Sequence, residues 1–205
     1  MNALSLHDLY ERWAPLYHAE PHNPLMQAEQ SAMLARLPKL DACSALDLAC
    51  GSGRYSRVLA ERGAAYIAAL DFSAAMLHRV TAGMPVQGDL TALPFRDCSF
   101  DLVISGLALG HARDLDACMR EIARVLKPGG ALLYSDFHPE AQRRGHRRSF
   151  RDAAGVVMAL PPGKFEQRHH LAALAAAGLM IDELFEPQTG QDGVPWLLVV
   201  GAHRP

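Results

Sequence analysis

No stretch of this sequence is apolar for long enough to cross a bilayer. The longest uncharged apolar run, residues 171–181, is Ala-rich and far short of the about 18–20 residues a spanning helix needs. The opening stretch MNALSLHDLYERW has neither the basic segment nor the apolar centre of an export leader, so a cytoplasmic location is expected. Cysteine is scarce: Cys43, Cys50, Cys98 and Cys118 show no C-x-x-C spacing, which points to reduced, packed thiols rather than disulfides or zinc ligands. Neither sign of charge dominates. With 20 Lys and Arg against 22 Asp and Glu, a formal charge of −2 gives no field that would draw nucleic acid or an anionic membrane. Ten histidines are present, but the H-A-E-P-H run at 18–22 does not have a zinc spacing, and no metal site is expected.

What is there reads as one domain over 1–205, long enough to bury a full core. A polar-amphipathic lead over 5–20 and a helix over about 24–37, stopped by Pro38, form a cap over residues 1–40. Strand and helix signals then alternate through a core over 41–137. Strands are expected at 44–49, 65–71, 84–88, 100–109 and 131–137. Helices are expected at 54–62, after the Ser73 cap, and from the Asp114 cap through the stripe Leu115, Cys118, Ile122 and Val125. That alternation implies parallel strands with right-handed crossovers. A basic segment and a Pro-Pro-Gly break occupy an insertion over 138–165, and the last helix ends at Gly178. The strand candidates 180–187 and 195–203 leave too little chain between them for a crossover helix, so they should pair antiparallel through a Gly-rich connection. The expected fold is α/β, a Rossmann-like doubly wound seven-stranded sheet with an antiparallel C-terminal hairpin and helices on both faces.

The chemistry centres on LDLACGSGRYS, 46–56. A dinucleotide turn wants G-x-G-x-x-G or its Ala variant; Gly51 and Gly53 supply the first two, but Ser56 stands third. Asp47 would also lie near a diphosphate that the helix N-terminus is meant to attract, the wrong sign for that ligand. A cofactor with a cationic part is the better match.

The blocks from 46 to 137 resemble the class I S-adenosylmethionine-dependent methyltransferases, in particular the small-molecule enzymes like those of ubiquinone and menaquinone biosynthesis. LDLACGSG is similar to the family's acidic glycine loop, with Ala49 where the first glycine is usual. Asp71 ends the second strand, where the family's acid holds ribose hydroxyls; GDLTALPFRDCSFDLVIS (88–105) and EIARVLKPGGALLYSD (121–136) follow in the family's order. The resemblance implies that S-adenosyl-L-methionine binds along Asp47, Ala49, Cys50, Gly51, Ser52 and Gly53. Beyond the turn it implies Asp71 on the ribose, Phe72 and Met76 beside the adenine, Gly88, Asp89 and Leu90 at its edge, Ser105 and Gly106 at the fourth strand's end, and Tyr17 closing over. Physically, the glycines allow positive φ and close approach, and a carboxylate such as Asp71 can accept two hydroxyl hydrogen bonds.

Methyl transfer rests on alignment and water exclusion, and needs a base only for a protonated acceptor. In open α/β sheets ligands collect at the C-terminal ends of strands. His111, just past the fourth strand, and His138, at the end of the fifth, are therefore the candidate catalytic groups. The segment QRRGHRRSFR, 142–151, holds five arginines and no acid. Arginine clusters favour carboxylate or phosphate, so Arg147 and Arg148, together with Tyr10, are expected on an anionic small-molecule acceptor or one borne by an acidic carrier protein. The leading expectation is methyl transfer to a small molecule by in-line displacement. The alternatives are a non-catalytic cofactor-binding regulatory module and a nicotinamide-dependent reductase.

Overall fold

The computed structural model describes residues 4–18, 20–187 and 193–205. Seven strands form one sheet: β1 (Ser44–Leu48), β2 (Tyr66–Asp71), β3 (Met84–Gln87), β4 (Phe100–Gly106), β5 (Leu126–Phe137), β8 (Met180–Phe185) and β9 (Leu197–His203). Their order is β3-β2-β1-β4-β5-β9-β8, with β1 through β5 parallel and β9 antiparallel to both β5 and β8. The hairpin inferred from the short connection is thus present; residues 188–192 of that connection lie outside the described residues.

Successive strand residues face opposite sides, and two cores follow. Leu46, Leu48, Val103, Leu132, Tyr134, Leu198 and Val200 pack with α5 (Leu115–Val125) and α7 (Gln167–Ala176). Ala45, Leu102, Ile104, Leu133, Leu197 and Val199 pack on the other face with α2 (Pro24–Leu34) and α3 (Arg54–Glu61). The uniformly apolar β4 is covered on both sides, as its sequence requires. Side-chain caps at Asn23, Ser73 and Asp114 start α2, α4 (Ala74–Leu77) and α5.

Three differences from the sequence pattern bear on the site. β4 stops at Gly106, because Leu107 turns with φ of +59° and its amide bonds to Ser135. β5 begins at Leu126, which pairs with Phe100; the Lys127–Gly130 turn is absorbed as a register shift before Ala131 meets Leu102. The insertion holds elements too short to show a period: α6 (Pro139–Arg143) and a separate ribbon of β6 (Ser149–Arg151) and β7 (Val157–Ala159). No helix among the described residues is long and apolar enough to cross a membrane.

Candidate active site

At the C-terminal ends of β1, β2 and β4 lies a cavity of 280 Å³. Its floor is the β1 exit, where Ala49 (φ +56°) and Gly51 (φ +54°) put the chain into the left-handed region. A Cβ added at Gly51 would meet no protein atom within 4 Å, so the turn leaves room for a ligand against bare backbone. Gly106 also lines the cavity, but packing fixes its identity: a Cβ there would come within 2.6 Å of the Tyr55 ring.

Two buried carboxylates face this space. Asp71 Oδ2 accepts from the Gly51 amide at 2.8 Å and Oδ1 from the Ser73 amide at 2.9 Å, so one side chain ties the glycine turn to the start of α4. Asp47 Oδ2 accepts from both the amide and the hydroxyl of Ser56 at 2.7 Å, holding the first turn of α3. Burial pushes Asp47 up to about 6 against those two bonds, and it also raises Asp71. Asp47 therefore remains mostly ionised at neutral pH.

The walls come from both sides of the cap. Leu6 and Tyr10 belong to α1 (Leu6–Trp13), and the Tyr10 ring meets Phe72 edge to face at 5.7 Å. Burial raises the phenols of Tyr10 and Tyr17. Gly88, Asp89 and Leu90 close the far edge; Asp89 Oδ1 is held by the Thr91 amide and hydroxyl and its acid is lowered by those bonds first. His111, four residues past Leu107, also lines the cavity. Burial, helped by the Arg148 charge and opposed by Asp136, drives it down to about 4, so the imidazole is neutral at pH 7. Cys50 lines the cavity as a packed thiol raised by burial, unsuited to nucleophilic work.

Several residues singled out in the sequence lie elsewhere. Met76 is fully buried among Leu9, Trp13 and Phe150, packing the cap rather than lining the cavity. Ser52, Gly53 and Ser105 do not line the cavity; Gly53 (φ +80°) begins α3, and the Ser52 and Ser105 hydroxyls have no hydrogen-bond partner among the described residues. His138 is turned away, capping α6 through Nδ1 and meeting Glu186 Oε1 with Nε2 at 2.8 Å. The arginine cluster divides. Arg143 and Arg144 are paired with Glu140 and Glu166, and Arg151 donates to Gly155. Arg148 lines the cavity and donates to the Leu107 carbonyl at 2.7 Å; Arg147 is outside it, held by the Gln142 and His146 carbonyls. Among the described residues no three His, Cys, Asp or Glu side chains gather as metal ligands.

The sequence did not point to Glu29, Arg54 and Tyr55. Arg54 and Tyr55 line the cavity, and Arg54 Nη2 meets the fully buried Glu29 Oε2 at 2.7 Å. Glu29 Oε1 accepts from Tyr55 at 2.7 Å and from Ser135 at 2.6 Å. Burial opposes the Arg54 charge, yet Glu29 holds that guanidinium above its ordinary value. The only sequence signal was position: R-Y directly follows the glycine turn.

Residues 46–134 match the family model described as a methyltransferase domain. The malonyl-[acyl-carrier protein] O-methyltransferase of Enterobacter lignolyticus is 37% identical over 130 residues, 62% of this chain and 51% of that protein. The demethylmenaquinone methyltransferase of Streptomyces avermitilis is 39% identical over 99 residues, 46% of this chain and 42% of that protein. The S-adenosylmethionine-dependent methyltransferase of Mesorhizobium loti, a solved structure, superposes with a TM-score of 0.73 at 27% identity over 86% of this chain and 98% of that one. The matched segment, the relatives and the solved structure all liken this chain to the S-adenosylmethionine-dependent methyltransferases. The chain spans about half the length of the Enterobacter relative.

Proposed function

We propose that this protein transfers a methyl group from S-adenosyl-L-methionine to an anionic small-molecule acceptor. The observation that carries the reading is the cavity itself: two buried carboxylates, Asp47 and Asp71, stand beside a turn whose Gly51 is open to a ligand. Paired acids disfavour a diphosphate and favour a cofactor bearing an ammonium and a sulfonium. The missing third glycine and the C-terminal hairpin likewise argue against the nicotinamide reductase.

Asp71 accepts from the ribose, Ala49 to Gly51 lie against the methionine portion, and Phe72, Asp89 and Leu90 border the base. Bound there, S-adenosyl-L-methionine supplies an electrophilic methyl group for in-line displacement, leaving S-adenosyl-L-homocysteine. The chain's own part is alignment: Tyr10 and Tyr17 exclude water while Arg148 orients the anionic acceptor. A carboxylate acceptor has no proton to lose, so no base is required. His111, neutral at pH 7, is the group able to take a proton from a hydroxyl or amine acceptor. His138 and Arg147 take no part at the cofactor.

The names of the carrier-protein methyltransferase relatives favour a second reading of the acceptor, an acyl group borne on an acidic carrier. Calorimetry with S-adenosylhomocysteine and with NADH tests the cofactor; tight NADH uptake with none of the homocysteine product would overturn the assignment. Radiolabelled methyl transfer to a malonyl thioester on carrier protein and to free organic acids separates the acceptors, and no transfer to any of them favours the regulatory module.

A further inference from the structure

A second cavity of 250 Å³ adjoins the first, the two sharing Tyr17, Leu107 and Arg148 as walls. We propose that this chamber seats the body of the acceptor, and that the acceptor is a free carboxylic acid with a flat, apolar ring. The inference rests on the methyl-transfer reading for the acceptor's fate, though not for its binding.

Three observations converge. The chamber is walled by Trp13, Tyr17, Phe137 and Trp196, with Leu25 and Met26 filling between them. A cavity of about 150 Å³ holds benzene, so this one has room for a substituted ring, and aromatic walls favour a flat one by edge and face contacts. Second, the indole Nε1 of Trp196 is shut off from solvent with no hydrogen-bond partner among the described residues. A buried donor of this kind is costly unless something accepts from it; the nitrogen is not itself open to the chamber, so the indole must turn for an oxygen on the occupant to reach it. Third, Arg147 and Arg148 both line the chamber, and among the described residues neither forms an ion pair. Their Nη1 groups are spent on main-chain carbonyls, which fixes the guanidiniums without cancelling their charge. An anion held by Arg148 lies at the junction of the two cavities, where a carboxylate oxygen faces the methyl donor's site.

The walls also explain why relatives need not share this acceptor. Apart from Leu107, every residue of the chamber lies outside the matched segment 46–134. The common core brings the cofactor site, and this chain's own flanks build the seat beside it.

The chain's two tryptophans, Trp13 and Trp196, both line the chamber, so intrinsic fluorescence reports on it directly. Titration with 4-nitrobenzoate, a flat carboxylate that quenches indole, should give saturable quenching. Nitrobenzene, the same ring without charge, should bind at least tenfold more weakly, and acetate should leave the emission unchanged. Arg148→Gln should weaken 4-nitrobenzoate at least tenfold and Arg148→Lys less; exposed Arg147→Gln serves where Arg148→Gln fails to melt like the parent. Trp13→Phe and Trp196→Phe should each remove part of the quenched emission. Linear, unsaturable quenching with equal slopes for nitrobenzoate and nitrobenzene overturns the proposal. So does Arg148-dependent binding of malonyl-N-acetylcysteamine in place of the ring acid, which would assign the chamber to a carrier-tethered acyl arm. A parallel calorimetric titration with S-adenosylhomocysteine keeps the two readings apart: its failure removes methyl transfer and leaves the quenching result standing.

Discussion

Glu29 and Arg54, 2.7 Å apart and both buried, join the N-terminal cap to the helix that follows the glycine turn. Glu29 comes from the middle of α2, and its other oxygen gathers Tyr55 of α3 and Ser135 of β5. One carboxylate therefore fixes three elements around the cavity wall.

Removing it should be expensive. Glu29→Ala leaves the Arg54 charge buried without its partner, and such losses cost about 3–5 kcal/mol. Urea unfolding should show a drop of that order, with Glu29→Gln between the two. A loss under about 1 kcal/mol would mean that water or a rearranged Gln30 replaces the pair.

Ala49 is an L-residue held at φ of +56° on the cavity floor. The left-handed conformation costs about 1–2 kcal/mol for a residue with a Cβ, whereas glycine loses about 0.5–1 kcal/mol through its freer unfolded chain. Ala49→Gly should accordingly stabilise by about 0.5–1 kcal/mol and raise Tm by about 2 °C. A lowered Tm would show that the alanine methyl makes contacts worth more than the strain.

Asp71 carries the Gly51 amide on one oxygen and the Ser73 amide on the other. With Asp71 on the ribose as proposed, Asp71→Ala should weaken S-adenosylhomocysteine at least tenfold in calorimetry, about 1.4 kcal/mol, the turn losing its acceptor as well. Asp71→Asn keeps one acceptor oxygen and should lose less. Equal affinities for all three proteins would take the ribose off this residue.

His111 is neutral in the fold down to about pH 4, below its ordinary value near 6.5. The unfolded chain thus binds a proton that the folded one refuses between those two values, so this group's contribution falls as pH drops from about 6.5 to 4. Asp47, raised to about 6 by burial, has the opposite slope over about 3.8 to 6. The variant isolates the histidine: His111→Gln should gain on the parent in urea midpoint between pH 7 and pH 4.5. A constant gap across that range would place the imidazole in contact with water.

The alternating core was legible because its strands are buried on both faces and its helices carry one apolar stripe, patterns that survive without any partner in view. β4 ran past its real end in the sequence because nothing in Ser105-Gly106-Leu107-Ala108 marks a left-handed leucine. The insertion shows in the sequence as an arginine cluster expected on an anionic acceptor, with none of its short elements visible. Its three-residue strands are too short for alternation, and two of its arginines are spent on Glu140 and Glu166, pairings visible only in space. Asp71 and the glycine turn announced themselves by spacing. Glu29 could not, since an acid within an amphipathic helix usually faces solvent, and its partners come from 54, 55 and 135. Met76 and His138 were misplaced for the same reason in reverse: their positions along the chain fit a cavity, but cap packing and Glu186 claim them.

The bond from Arg148 to the Leu107 carbonyl has a modular consequence. It latches the insertion to the sheet through a main-chain oxygen, a group every residue type presents at that point. A foreign loop of similar span, grafted between β5 and α7 with an arginine at the matching position, could fasten to this scaffold without any change in the sheet. Under the proposed function, acceptor choice can then diverge by exchange of one surface segment while the cavity beside Gly51 stays as it is.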